Sequence, residues 1–515
     1  VNVVMPNDAA GQEFAEPYSE LQHTSISQLQ EAMSRGDSTA VDLVRQYVAR
    51  IEALDNAGPQ LNSVLEVNPD VEEIAETLDR ERRDGRLRGP LHGIPILLKD
   101  NIDTGDRMMT TAGSLALLGS AAARDAAVAA RLRAAGAVIL GKTSLSEWAN
   151  FRSSFSSSGW CARRGQGRNP YSLDRTPSGS SSGSGIATAA ALCSAALATE
   201  TDGSIVSPAC ASGVVGIKPT VPLVSNAGVI PVSHTQDVVG VHARSVSDAA
   251  VVLGALVKPD AGAPSDYLKF LDPASLKGAR LGVVRNLGFG KNPKVDAVME
   301  SALQALREAG AILVDPAPIP SDLEAASVAE FEVLLYEFKA DIAAYLSTRT
   351  DVALDREGFP RTLGGLIGFN EAHADQELRY FGQDVFLASE AHGPLTDAGY
   401  LAALETSARL SGPEGIDRLM SEHQLDALVA PTGEPARPID LVNGDARSLG
   451  TSSPGARAGY PTVTLPVGYV GGMPVNLSFI GGFMSEPTLL RFAFSLETAI
   501  QVRQAPRFRG STPAV

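Results

Sequence analysis

The stretch 176–220 constrains this chain more than any other. It reads TPSGSSSGSG, then an Ala-rich apolar run, then TETDGSIVSPACASGVVGIKPT. Two Gly/Ser-dense loops flank a short run of small apolar residues, and such residues permit close backbone packing. A lysine lies well upstream in an apolar context, Ile94-Pro95-Ile96-Leu97-Leu98-Lys99-Asp100-Asn101. Serines held where backbone N–H groups converge, together with a lysine that can be buried, are the parts of a serine hydrolase that works without histidine.

The periodicity around this stretch argues for an α/β layer architecture. Residues 24–54 read as two helices about a turn at Gly36-Asp37-Ser38, and 61–67 as a strand. Residues 69–85 carry dense charge at helical spacing. Residues 93–98 form a short buried strand that delivers Lys99 at its end, followed by a helix over 125–135 and a strand over 137–140. Alternating helices and strands predict a mostly parallel sheet. Further strands are expected at 280–284, 311–314, 427–430 and 462–466, with a helix over 293–309. No Pro/Ser-rich linker divides the 515 residues, so a single domain over 1–515 is expected, with its catalytic core in 60–260. The mainly helical segment 320–410 is the candidate substrate-facing subdomain.

A net charge of −16 disfavours nucleic acid or an anionic membrane as partner. The expected partner is a small amide or peptide-amide substrate, with the chain a monomer or homodimer. The longest apolar stretch, 186–199, is too short to span a bilayer. No signal peptide is visible, but the chain opens with Val rather than Met. The compartment is therefore left open between cytoplasmic and, for a processed product, secreted or periplasmic. Cys161, Cys193 and Cys210 show no metal-ligand spacing, and there is no HExxH and no paired CxxC. No metal and no cofactor are expected.

Acyl transfer at neutral pH needs a nucleophile, a base within reach and donors aimed at the developing oxyanion. Thr201-Asp202-Gly203-Ser204 can supply nucleophile and donors together, since a Gly-containing turn lets consecutive N–H groups point into one small volume. Taken locally, the same turn also reads as a helix cap or an anion-binding nest. Gly179-Ser180-Ser181-Ser182-Gly183 matches the G-x-S-x-G elbow of α/β-hydrolases, but polar loop residues 169–177 precede it where a buried strand is required. No Gly-Lys-Ser/Thr follows, which removes a phosphate-binding loop. Lys218, in Val214-Val215-Gly216-Ile217-Lys218-Pro219, rivals Lys99 as base, and local sequence hardly separates them. His234 and His242 read as pocket lining or structure, and Asp100 and Asp202 as hydrogen-bonding neighbours.

These segments resemble the amidase signature family. The Gly/Ser loop, T-E-T-D-G-S-I, G-V-V-G-I-K-P-T and G-I-P-I-L-L-K-D-N-I carry the resemblance, joined by E-W-A-N-F-R-S near 147–153, R-S-V-S-D-A-A near 244–250, and G-Y-P-T-V-T-L-P with S-F-I-G-G near 459–482. The resemblance implies a large mixed, mostly parallel sheet covered by helices on both faces. It also implies a Ser–cis-Ser–Lys triad: Ser204 as acylated nucleophile, Ser180 as bridging serine, Lys99 as base. The backbone N–H groups of Thr201, Asp202, Gly203 and Ser204 would form the oxyanion hole, with Ser181 hydrogen-bonding behind the triad. Lys99 needs a populated neutral form, and burial beside Ile94, Ile96 and Leu98 lowers its pKa from about 10.4.

Within the family, E-W-A-N-F-R-S and T-E-T-D-G-S-I look most like the peptide amidases, which release ammonia from C-terminal carboxamides of peptides. That likeness suggests that Asn150 and Asp202 border the substrate pocket. The alternatives are aryl acylamidase, esterase or urethanase chemistry, and the role of a glutamine-dependent amidotransferase A-type subunit. Ser178, Ser212, Pro222, Val241 and His242 depart from the usual pattern without removing a triad residue.

Overall fold

Capping chemistry fixes the first two helices. Ser25 and Gln28 form a reciprocal box at the start of Ile26–Arg35, Thr39 and Asp42 do the same for Ala40–Arg50, and Gly36 ends the first helix at φ 78°. The computed structural model describes residue 14 and residues 16–446 and 450–511.

Among the described residues, thirteen strands follow in chain order: β1 Val64–Val67, β2 Pro95–Lys99, β3 Val138–Thr143, β4 Trp160–Cys161, β5 Gly165–Gln166, β6 Ala195–Glu200, β7 Val215–Lys218, β8 Val238–Ala243, β9 Arg280–Val283, β10 Ile312–Val314, β11 Ala427–Pro431, β12 Thr462–Val470 and β13 Met473–Ile480. Eleven of them make one mixed sheet in the order β1-β3-β2-β6-β8-β7-β12-β13-β11-β9-β10, and β4 pairs β5 in a separate ribbon. Parallel pairing joins β3, β2 and β6 and, at the far flank, β11, β9 and β10. The strands between them, from β6 across to β11, pair antiparallel. Each residue of β2, β3, β6, β7 and β8 is buried, as strands covered on both faces require.

The small-residue run 186–199 is not one helix. A helix covers Ser182–Ala189, and after a turn the chain enters the sheet as β6. Alanines suit both settings, so composition alone does not mark the break. The helices between 320 and 410 include one of 25 residues, Leu323–Ser347, which packs on Ala398–Ser411.

Candidate active site

β2 lies between β3 and β6 and ends at a fully buried Lys99. Its Nζ lies 2.8 Å from Ser180 Oγ and 2.8 Å from Thr199 Oγ1, with the Thr199 carbonyl at 3.3 Å. An ammonium donates across the Ser180 contact, and a neutral amine accepts a proton through it. Burial lowers the Lys99 pKa to about 7, against the opposing pull of the Asp237 and Glu200 charges. A base with that value is about half neutral at pH 7 and mostly neutral just above it.

Ser180 precedes the helix Ser182–Ala189, and the Gly179–Ser180 peptide is cis. A β-carbon at 179 would lie 2.2 Å from Ser146 Oγ, so any larger residue there would have to displace that hydroxyl. Ser181 stitches this loop to its neighbours. Its N–H donates to the Ser204 carbonyl (3.2 Å), its hydroxyl donates to the Thr199 carbonyl (3.0 Å) and it accepts from the Thr199 N–H (3.2 Å). The loop is thereby pinned against both the end of β6 and residue 204.

The turn 201–204 is closed by Glu200, whose Oε2 accepts from the N–H groups of Ile205 (2.7 Å) and Val206 (3.0 Å) at the foot of the helix Val206–Ala211. Gly203 sits at φ +81°, a conformation that L side chains rarely adopt. Asp202 accepts from Ser452 Oγ at 2.5 Å, and Thr201 Oγ1 donates to Asp237 at 2.6 Å. Among the described residues, no acceptor meets the N–H groups of Asp202, Gly203 and Ser204, and Ser204 Oγ has no hydrogen-bond partner. Convergent free donors beside a hydroxyl are what a developing oxyanion requires.

The rival groups are committed elsewhere. Lys218 Nζ donates to the carbonyls of Tyr460 (2.8 Å) and Pro219 (3.3 Å). His242 Nε2 donates to the Ile205 carbonyl at 2.8 Å, and burial lowers its pKa to about 4, so it is a neutral prop beside the turn 201–204. His234 is exposed and pairs with Asp341 at 2.9 Å. Asp100 is buried against Thr111 and Arg163. Cys161, Cys193 and Cys210 are free and buried, with thiols pushed up to about 12, 12 and 11, hence unreactive.

The turn opens onto a cleft of about 630 Å³ lined by Asn150, Ser178, Asp202, Gly203 and Cys210, with the segment 433–446 as its opposite wall. Asn150 has φ 66° and follows two further left-handed residues, Trp148 (φ 50°) and Ala149 (φ 57°). Three such residues in a row persist only when their surroundings hold them. Arg152 supplies that hold: it is fully buried between Glu147 and Glu377, and its guanidinium stacks over the Phe381 ring at 4.3 Å.

The segment 320–410, expected to face the substrate, contributes no lining residue to this cleft. It braces residues around the site instead, with Asp384 accepting from the cleft residues Ser153 and Ser154. Glu330 accepts from Gln236, which in turn reaches the Thr201 carbonyl, and Glu337 accepts from Ser233 and Thr235. Sequence reading missed the wall 433–446, whose composition carries no periodic signal, and it missed Glu200 and Asp237. The position of Glu200 immediately before the T-D-G-S turn, with the first N–H groups of the next helix five and six residues on, is a signal that was available.

The fold and this site define an amide hydrolase. The family model for amidases matches residues 42–490, and the chain belongs to the amidase signature family. It is 48% identical to the native peptide amidase of Stenotrophomonas maltophilia, with a TM-score of 0.89 over 96% of this chain and 99% of that one. A structure of peptide amidase PAM with the competitive inhibitor chymostatin matches equally, at 48% identity and TM-score 0.89 over 95% and 99%. A probable amidase of Arabidopsis thaliana is 41% identical over 95% of this chain and 92% of its own length.

Proposed function

We propose that the protein hydrolyses carboxamides, foremost the C-terminal amides of peptides, to carboxylate and ammonia through an acyl-enzyme on Ser204. The observation that carries this reading is the 2.8 Å contact of buried Lys99 with Ser180, set against a turn that presents Ser204 and free N–H groups to a cleft large enough for a peptide end. Neutral Lys99 takes the Ser180 proton as Ser180 takes that of Ser204, and Ser204 Oγ bonds to the amide carbon. The oxyanion is held by the N–H groups of residues 201–204. The proton returns through Ser180 to the nitrogen, the C–N bond breaks and ammonia leaves. Water, deprotonated by the same route, then cleaves the ester.

Asn150 and Asp202 border the cleft and are the proposed substrate contacts. Ser181 supports the triad through its bonds to residues 199 and 204. The likeness to peptide amidase supports a peptide-amide substrate.

The test is a panel followed by mass spectrometry: a dipeptide amide, its free acid, glutamine, an anilide and an aryl carbamate. Loss of the terminal amide with the internal bond intact is the expected result. Preference for the anilide or carbamate moves the substrate to the aryl class, and preference for glutamine moves it to the amidotransferase class.

A further inference from the structure

Beside Ser180, and sharing no lining residue with the cleft, lies a small cavity of about 10 Å³ with both polar and apolar walls. That is room for about one water molecule. Its lining includes Ser180 and Thr199, both bonded to Lys99, together with Asn101, Thr201, Asn226 and Asp237. Asn101 donates to the same Thr199 hydroxyl at 2.9 Å, and the Oδ1 atoms of Asn101 and Asn226 have no protein partner. The polar wall is thus rich in acceptors, and its one carboxylate is Asp237.

Asp237 is held firmly in the loop before β8. One oxygen accepts from the N–H groups of Val232 (2.8 Å) and Ser233 (3.0 Å), and the other from Thr201 Oγ1 (2.6 Å). The last bond seats the first residue of the nucleophile turn.

We propose that Asp237 is a positioning residue for catalysis: its carboxylate faces the same small cavity as Ser180 and Thr199, the two hydroxyls that hold Lys99, and its Thr201 bond holds the oxyanion turn at the same time. This rests on Lys99 being the base, as argued above. Burial alone drives a lysine towards a weakly basic amine, and a nearby carboxylate opposes it. The charged and titratable groups facing Lys99 are Asp237, Glu200 and the imidazole of His242. Asp237 is the stronger of the two opposing carboxylates, and Glu200 is already committed to two backbone N–H groups. The groups facing Asp237 itself are His234 and Asp341, from the loop and the long helix packed on it. Burial raises its own carboxyl to about 6, so it is ionised where Lys99 titrates.

Asp237→Asn separates charge from shape. The amide oxygen keeps the two backbone N–H bonds, and the amide nitrogen donates to Thr201 Oγ1, which reverses its role. The measurement is the pH profile of kcat/KM on a peptide amide, with kcat and KM read separately. The acid limb is expected to move down by roughly 1 unit, and the plateau kcat to fall about 10-fold with KM unchanged, since a weaker base transfers protons more slowly. Asp237→Glu is expected to return the limb towards its original pH, and Thr201→Val, which keeps the charge, to leave it in place.

A loss of activity in Asp237→Asn with the limb unmoved would overturn the proposal, because a purely structural role predicts that outcome. If the Asn variant does not accumulate, Asp237→Ser carries the same test. The triad reading fails separately, if Ser204→Ala retains activity. An inactive Ser204→Ala beside an unshifted Asp237→Asn limb would overturn this inference alone.

Discussion

Two lysines end buried strands of the same sheet, Lys99 on β2 and Lys218 on β7. Burial lowers the pKa of both. Lys99 faces two hydroxyls at 2.8 Å, Ser180 and Thr199, besides the more distant Thr199 carbonyl, whereas Lys218 faces only the carbonyls of Tyr460 and Pro219 among the described residues. A carbonyl can only accept, so it favours the ammonium and offers no proton to remove. Lys218 also has three carboxylates supporting its charge, Glu200, Glu486 and Asp202, where Lys99 has two. Burial makes a weakly basic lysine, and the partner at its tip decides whether that lysine is a base or a brace.

The comparison breaks first at Lys99. Lys99→Ala is expected to lower kcat by on the order of 10³-fold or more, as loss of a triad member does, while the thermal unfolding midpoint stays within a few degrees of the parent. Retention of more than a tenth of the activity would transfer the role to another group. The pH profile sharpens the contrast next. Lys99 must be neutral to accept a proton, so kcat/KM is expected to fall about tenfold per unit below a limb near 7. A limb at 9 or above would mean that burial does not depress this lysine.

Lys218→Met tests the other half. Two carbonyls lose their charged donor, so a destabilisation of about 1–3 kcal/mol in urea unfolding is expected, with kcat close to the parent value. A collapse of kcat in a folded variant would erase the distinction between the lysines. The smallest effect is at the rim of the site. Ser178 sits at φ 59°, and Ser178→Gly is expected to stabilise by about 0.5 kcal/mol. That is the roughly 1–2 kcal/mol cost of a left-handed non-glycine residue less the added freedom of the unfolded chain. A destabilised variant would show that the Ser178 side chain contributes packing that outweighs the strain.

Lys99 was legible in the sequence because an uninterrupted apolar run leads into it, and the turn 201–204 because glycine and serine mark where backbone donors converge. The choice between Lys99 and Lys218 was not legible locally, since both follow apolar strands and their partners, Ser180 and Tyr460, lie 81 and 242 residues away. A separation of 36 residues likewise hid Asp237, which reaches Thr201 because β8 returns antiparallel to β6. The position of 320–410, outside the lining of the cleft, was hidden for a related reason. A helical composition shows that a segment packs, but not which side of the site it packs on, and Glu330 and Glu337 brace the loops beside residue 201. Of the departures from the usual family pattern, Ser178 stands at a left-handed backbone position, which explains the usual glycine there and not this chain's serine. Nothing in the structure explains Ser212, whose buried hydroxyl has no partner.

The most direct test of the central claim is intact-mass and peptide mapping after treatment with a serine-directed fluorophosphonate, run on the parent, Ser204→Ala and Lys99→Ala proteins side by side. The account predicts a single adduct on the peptide carrying Ser204 in the parent, none in Ser204→Ala, and labelling slowed by orders of magnitude in Lys99→Ala. An adduct that survives Ser204→Ala, or labelling indifferent to Lys99, would contradict it.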